Sequence, residues 1–196
     1  MPDMSMPLPS VEPTIVLVDA SPLIHLAMAG EMDVLLRFGI VVVPDAVEIE
    51  ATFFPDKPYA RDIAAWLDAN SRREGANRWV ERPATDIGEL YRIAIETGRP
   101  RPRNAGEHAI VEWLSDHVAS FGGPALVVYE NGRVPNLLVR EGLTEDVVVV
   151  TSRALLNLAE RAGHLADADA VWRKIQGGAP QANPAVNYQI IKGMRP

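Results

Sequence analysis

Four carboxylates stand where this sequence passes from an apolar run into a helix or a turn, and together they are the side chains best suited to chemistry. Asp19 closes the run TIVLV and is followed at once by Ser21 and Pro22. That step reads as a strand ending at the mouth of a sheet, the edge where open α/β folds place their reactive groups. The second lies in VPDAVEIEA, where Glu48 and Glu50 compete. Val47 and Glu50 are three residues apart and share one helix face, which brings Glu50 to the edge of the buried side and sends Glu48 elsewhere. Glu107, in NAGEHAIVEWL, falls in the first turn of a helix, where the macrodipole favours an anion. Glu130 directly follows the run ALVVY.

Acids delivered from four separate segments repel one another unless cations bind among them. The chain has no cysteine, so disulfides, thiolate catalysis and cysteine-type zinc sites are excluded. An oxygen-only donor set suits Mg²⁺ or Mn²⁺. The chemistry such a set serves is metal-assisted hydrolysis of a phosphodiester. Each acid also has a plainer role open to it: helix cap for Asp19, solvated helix face for Glu48 or Glu50, first-turn charge for Glu107, and a simple Asn-Gly turn beside Glu130.

The elements that must position these groups follow from hydrophobic patterning. Continuous Val/Ile runs at 14–18, 40–43, 125–128 and 147–150 predict strands apolar on both faces, hence a mainly parallel sheet covered by helices on each side. Between them the spacing predicts helices over Ser21–Ala29, Asp33–Phe38, Asp45–Thr52, Pro58–Asn70, Thr85–Thr97, Ala105–Phe121, Pro135–Glu141, Ser152–Ala162 and Asp167–Gln176. Ser21 and Ser152 are expected as N-caps, and Gly30, Gly39, Gly98 and Gly163 mark helix ends. This alternation defines a three-layer α/β/α fold. At 196 residues the chain is expected to hold one domain over 14–176, with a flexible leader at 1–13 and an irregular tail at 177–196 packed on the body through Tyr188, Ile190 and Ile191.

The motifs VDASPLIHL, the P-x-x-V-x-x-E spacing of Pro44, Val47 and Glu50, the Gly106–Glu107 pair and the strand-then-acid step at Glu130 resemble the PIN-domain family of ribonucleases. VVVVTSRALLNLAERAGHL is similar to a later family segment, with Ser152 where Thr is usual. The resemblance runs from about Thr14 to Gln176. It implies a PIN-like fold and a Mg²⁺- or Mn²⁺-dependent endoribonuclease acting on single-stranded RNA, often the toxin of a bacterial toxin–antitoxin pair (the VapC type). It makes Asp19, Glu50, Glu107 and Glu130 the catalytic, metal-holding acids, and Ser21 and Ser152 polar groups that orient a carboxylate, a water or the scissile phosphate. Two features depart from it: Tyr129-Glu130-Asn131-Gly132-Arg133 stands where many members carry paired aspartates, and FFPDKPYA and GRPRPRN are insertions.

GRPRPRN is the most concentrated basic stretch, and its Arg99, Arg101 and Arg103 lead straight into the Glu107 helix. A solvated loop is the plain reading; the functional one is that proline-stiffened guanidinium groups grip RNA phosphates. The net charge of −7 argues against a surface that coats nucleic acid broadly, yet an acidic metal centre is compatible with it. His25, His108, His117 and His164 lack zinc-site spacing, with His25 and His108 expected to pack on helix faces, and the four Trp read as packing anchors. Nucleotide-binding glycine loops and the serine-hydrolase elbow are absent. With no apolar stretch of bilayer length and no signal-like amino terminus, the chain is expected to act in the cytoplasm, away from membranes, with an antitoxin protein and a homodimeric copy as candidate partners. Two other readings share its features: a catalytically weakened PIN-like module that binds RNA or protein, and a structure-specific DNA nuclease.

Overall fold

The computed structural model describes residues 15–72, 77–117, 124–130, 132–143 and 147–191, the last four through their backbone. The expected leader lies outside the described residues. Six strands form one sheet: β1 (Ile15–Val18), β2 (Ile40–Val42), β3 (Val80–Glu81), β4 (Ala125–Tyr129), β5 (Val147–Thr151) and β6 (Tyr188–Ile191). Their order is β3-β2-β1-β4-β5-β6, with β1 to β5 mutually parallel and β6 antiparallel on β5. Every residue of β1, β4 and β5 is buried, which is why these strands read as unbroken apolar runs.

The helices are α1 (Ala20–Ala29), α2 (Asp33–Leu36), α3 (Asp45–Thr52), α4 (Ala60–Asn70), α5 (Asp86–Thr97), α6 (Ala105–His117), α7 (Arg133–Arg140), α8 (Ser152–Arg161) and α9 (Ala168–Gly178). Crossovers between parallel strands send the chain from β1 toward β3 on one side, and from β4 toward β5 on the other. On one face α1 packs against α4, α8 and α9; on the other α6 packs against α5 and α7. The result is a three-layer α/β/α fold. Strand order reverses between β1 and β4, so the crevice at their carboxyl ends is the switch point at which such folds bind ligands. Helix α3 touches both α1 and α6 and so closes over this end of the sheet.

The structure departs from the sequence expectation in several places. The tail is irregular only over 179–187: α9 extends to Gly178, and Tyr188–Ile191 pairs with β5 from Val150 back to Val147. Strand β3 is only two residues long, too short to show any periodicity. Ser21 is not the cap of α1, which begins one residue earlier with Asp19 in the N-cap position. Pro22 then sits in the first turn, where its missing N–H is one that no intrahelical carbonyl awaits. Likewise Thr151, not Ser152, caps α8, its hydroxyl accepting from the Ala154 N–H at 3.3 Å. Helix α6 is described to His117, and the remainder of its expected span, to Phe121, lies outside the described residues. Among the described residues no helix is long and apolar enough to cross a membrane.

Candidate functional site

Asp19 leaves β1 at the switch point, and its backbone N–H donates to the Val128 carbonyl at 3.0 Å, fastening it beside the end of β4. Its side chain makes no capping hydrogen bond, so the helix-cap reading fails although the residue occupies the cap position. The carboxyl group is only 4% exposed and meets other acids. Burial first, then the charge of Glu107, with smaller contributions from Glu50 and Glu130, push its pKa up to about 7 against the opposing Ala20 N–H.

Glu50 and Glu107 reach this point because α3 and α6 approach closely. Small residues make the approach: Ala46 on α3 and Ala105 and Ala109 on α6 form a buried cluster with Tyr91 of α5, flanked by Ile49, Ile87 and Ile95. Gly106 completes it. Its N–H donates to Glu50 Oε1 at 3.1 Å, and the place where a Cβ would stand lies 3.0 Å from Glu50 Oε2, 3.2 Å from Asp19 Oδ1 and 3.3 Å from Val47 Cγ2. Oxygens from two carboxylates thus converge on a single small space that any larger residue would fill. The pKa of Glu50 is raised by burial and by Glu107, and lowered by the Gly106 N–H and the Lys57 charge. Glu107, 6% exposed, lies within the same electrostatic cluster.

Glu48 takes no part. Its carboxylate pairs with Arg82, which also reaches Asp68, in a surface network on the far side of α3. The three-residue spacing to Val47 thus separates the two glutamates as the helix geometry requires.

Glu130 is nearby but differently engaged. Oε1 lies 3.3 Å from His25 Nδ1, Oε2 accepts from the Asn183 N–H at 3.2 Å, and its own carbonyl accepts from Asn183 Nδ2 at 3.2 Å. It acts on Asp19 as the weakest of the three acids. His25, expected to pack as an isolated ring on a helix face, is buried against Glu130, its Nδ1 and Glu130 Oε1 making no hydrogen bond, and Asn183 joins from the tail. Contacts across more than fifty residues leave no local pattern, so neither partner is visible in the sequence.

The hydroxyl positions behave differently from one another. Ser21 is exposed, while Ser152 is fully buried and its Oγ reaches no hydrogen-bond partner, the carboxylates included. The three arginines diverge. Arg101 stacks over Phe54, with its guanidinium carbon 4.5 Å from the ring centroid; Arg103 lines an open groove among Ile87, Leu90, His108 and Leu137; Arg99 is exposed. Arg101 thus meets the chain segment that carries Glu50, four residues before Phe54.

The acidic centre is a shared electrostatic site, not a closed cage. Among the described residues no three His, Cys, Asp or Glu side chains are grouped tightly enough to enclose a metal ion as they stand. The fold and site together define a doubly wound α/β protein with an acidic crevice at its switch point. Compared with protein-family models, with curated proteins and with solved structures, the chain finds no match in any of the three.

Proposed function

We propose that this chain is a PIN-like, Mg²⁺- or Mn²⁺-dependent endoribonuclease that hydrolyses phosphodiester bonds of single-stranded RNA. On this reading it works in the cytoplasm and pairs with a small antitoxin protein and with a second copy of itself. The observation that carries the reading is the uncompensated charge at Asp19. A buried carboxylate held up to about 7 by burial and three neighbouring acids is costly to a fold and useful to a cation.

The donor types present suit a hard divalent ion, although the carboxylates would have to draw closer together to enclose one. The donors are all oxygen, Asp19 and Glu50 direct oxygens into one space at Gly106, and Glu107 adds its charge to the same cluster. Asp19, Glu50 and Glu107 would hold the ion, and Glu130 would join them directly or through water. When bound, such an ion supplies an activated water and neutralises charge on the phosphate. The protein does the rest. The Gly106 N–H fixes one oxygen of Glu50 so that the other is free to turn inward. Lys57 donates to the Glu50 carbonyl at 2.7 Å and places a cation on the rim, where a phosphate would meet it before the acids. Burial of Asp19 keeps bulk water from screening the site.

One observation favours the weakened-module reading: Glu130 Oε2 is already held by the Asn183 N–H, and Oε1 faces His25 at 3.3 Å without a hydrogen bond. The test is cleavage of a labelled single-stranded RNA by the full chain in Mn²⁺, in Mg²⁺ and in EDTA, beside its Asp19→Asn variant. Metal-dependent cutting that falls at least about a hundredfold in the variant is the expected result. Equal traces of cutting in both, or none in either, would reject the nuclease.

A further inference from the structure

The two segments that look like insertions in the sequence, FFPDKPYA and GRPRPRN, meet in space. Arg101 from the second covers the Phe54 ring of the first at 4.5 Å, and Lys57 approaches the same ring at 5.7 Å. Phe53 stands edge-on to Phe54, centroids 5.0 Å apart and planes at 84°, and is 48% exposed. Among the described residues it is the one aromatic side chain left so open. Lys57 ties this group to the acidic site through the Glu50 carbonyl, and Phe53 follows Glu50 by three residues.

Folding alone does not call for this arrangement. Exposed Phe gains nothing from water, and two cations placed around an aromatic pair would serve packing no better than aliphatic side chains. An open ring, Phe53, edge-on to a second ring, Phe54, that carries two cations matches a nucleotide, whose base stacks on the first while its phosphate meets the charge beside the second. The net charge of −7 makes the local pairing of Lys57 and Arg101 more telling, because the chain as a whole repels phosphate.

We infer that Phe53, set edge-on to the Phe54 ring on which Arg101 and Lys57 stand, is a base-stacking platform that holds one nucleotide of single-stranded RNA beside the acidic crevice. The choice of RNA rests on the proposed function; the stacking and phosphate contacts rest on the geometry alone. Phe53 orients the strand and takes no part in bond breaking.

Binding of fluorescent twelve-nucleotide strands to the full chain, in an Asp19→Asn background that suppresses cutting, tests this. Three strands are used: single-stranded RNA, the same strand with abasic riboses, and single-stranded DNA. Phe53→Leu keeps the apolar bulk and should weaken RNA binding about 5- to 150-fold, the range of one lost base stack, with Phe53→Tyr restoring it. The abasic strand should not register either change. Arg101→Ala should weaken all three strands and lower the salt slope by roughly 0.7. Loss on DNA equal to that on RNA supports the platform but assigns it to single strands in general. RNA binding unchanged in Phe53→Leu, or reduced equally for the abasic strand, overturns the proposal and leaves Phe53 to a protein partner. Because binding is read without cutting, platform and nuclease can fail separately: Phe53-dependent binding without metal-dependent cleavage rejects only the nuclease, and the converse rejects only the platform.

Discussion

Asp45 and Asp19 are both buried aspartates at the carboxyl end of the sheet, each at the start of a helix, and their surroundings could hardly differ more. Asp45 is fully answered. Its Oδ1 accepts from the Ala46 N–H at 2.9 Å, the Thr85 N–H at 3.2 Å and the Thr85 hydroxyl at 2.7 Å, while Oδ2 accepts from Arg92 Nη1 at 2.6 Å. Asp19 has acids for neighbours and no side-chain donor. Each is approached by a glycine: a Cβ on Gly88 would fall 1.9 Å from Asp45 Oδ1, as one on Gly106 would crowd Asp19 and Glu50. The first glycine lets α5 close on a carboxylate held by Arg92 and Thr85 and lock α3 in place; the second leaves room between carboxylates that have only backbone donors and one another. A buried acid met by a cation and a hydroxyl is holding the fold, whereas one met only by backbone and by other acids carries a charge the fold does not balance.

The largest expected consequence concerns pH. Asp19 has its folded pKa raised from 3.8 to about 7, so the folded state disfavours its ionised form. Below pH 4 the group is protonated in folded and unfolded chains alike and costs nothing. Through the interval from 3.8 to about 7 the penalty grows with pH, at about 1.4 kcal/mol per unit, to an upper limit of roughly 4 kcal/mol above it. Without divalent ions, Asp19→Asn should therefore be more stable than the parent at pH 8, and the gain should vanish toward pH 4. Urea unfolding at several pH values measures it; a variant less stable at pH 8 would break the contrast with Asp45.

At Asp45 the sign reverses. Asp45→Ala strips Thr85 and Arg92 of their acceptor and should cost about 2 to 3 kcal/mol, nearer the lower figure because Arg92 is half open to water. In a chain of this size that lowers Tm by roughly 4 to 12 °C. RNA cleavage per folded molecule should fall only as far as α3 loosens.

Gly106→Ala gives the smallest effect on stability and sharpens the contrast most. The helix propensity gained, about 1 kcal/mol, offsets the crowding of the flexible Glu50 carboxylate, so the unfolding midpoint should barely move. Metal-dependent cleavage should nevertheless fall at least about tenfold, because the added methyl occupies the space where the carboxylate oxygens converge. Unfolding curves and cleavage rates on one preparation separate the two effects.

The doubly buried strands, the helix order and the position of Asp19 were legible because each rests on local pattern: unbroken Val/Ile runs, glycine stops, an acid at a strand end. Glu50 could be told from Glu48 through its three-residue spacing to Val47, since helix geometry is local too. What escaped depends on distance. Strand β6 forms because β5 has an open edge, β3 is two residues long, and the caps at Asp19 and Thr151 stand two residues and one residue before the serines that look the part. The clasp of His25 and Asn183 on Glu130, and of Arg92 and Thr85 on Asp45, joins segments that carry no mark of one another. The two insertions could be seen as departures from a pattern, but not as neighbours.

The central claim, that Asp19, Glu50 and Glu107 form an incomplete charge cluster completed by a cation, is tested most directly by thermal unfolding at pH 8 with increasing Mn²⁺. For the unmodified chain, Mn²⁺ at a hundredfold excess over its dissociation constant should add about 2.7 kcal/mol, a rise in Tm of roughly 5 to 10 °C, while Asp19→Asn should stay nearly flat. An unmoved Tm in the unmodified chain, or an equal rise in both proteins, would contradict the account.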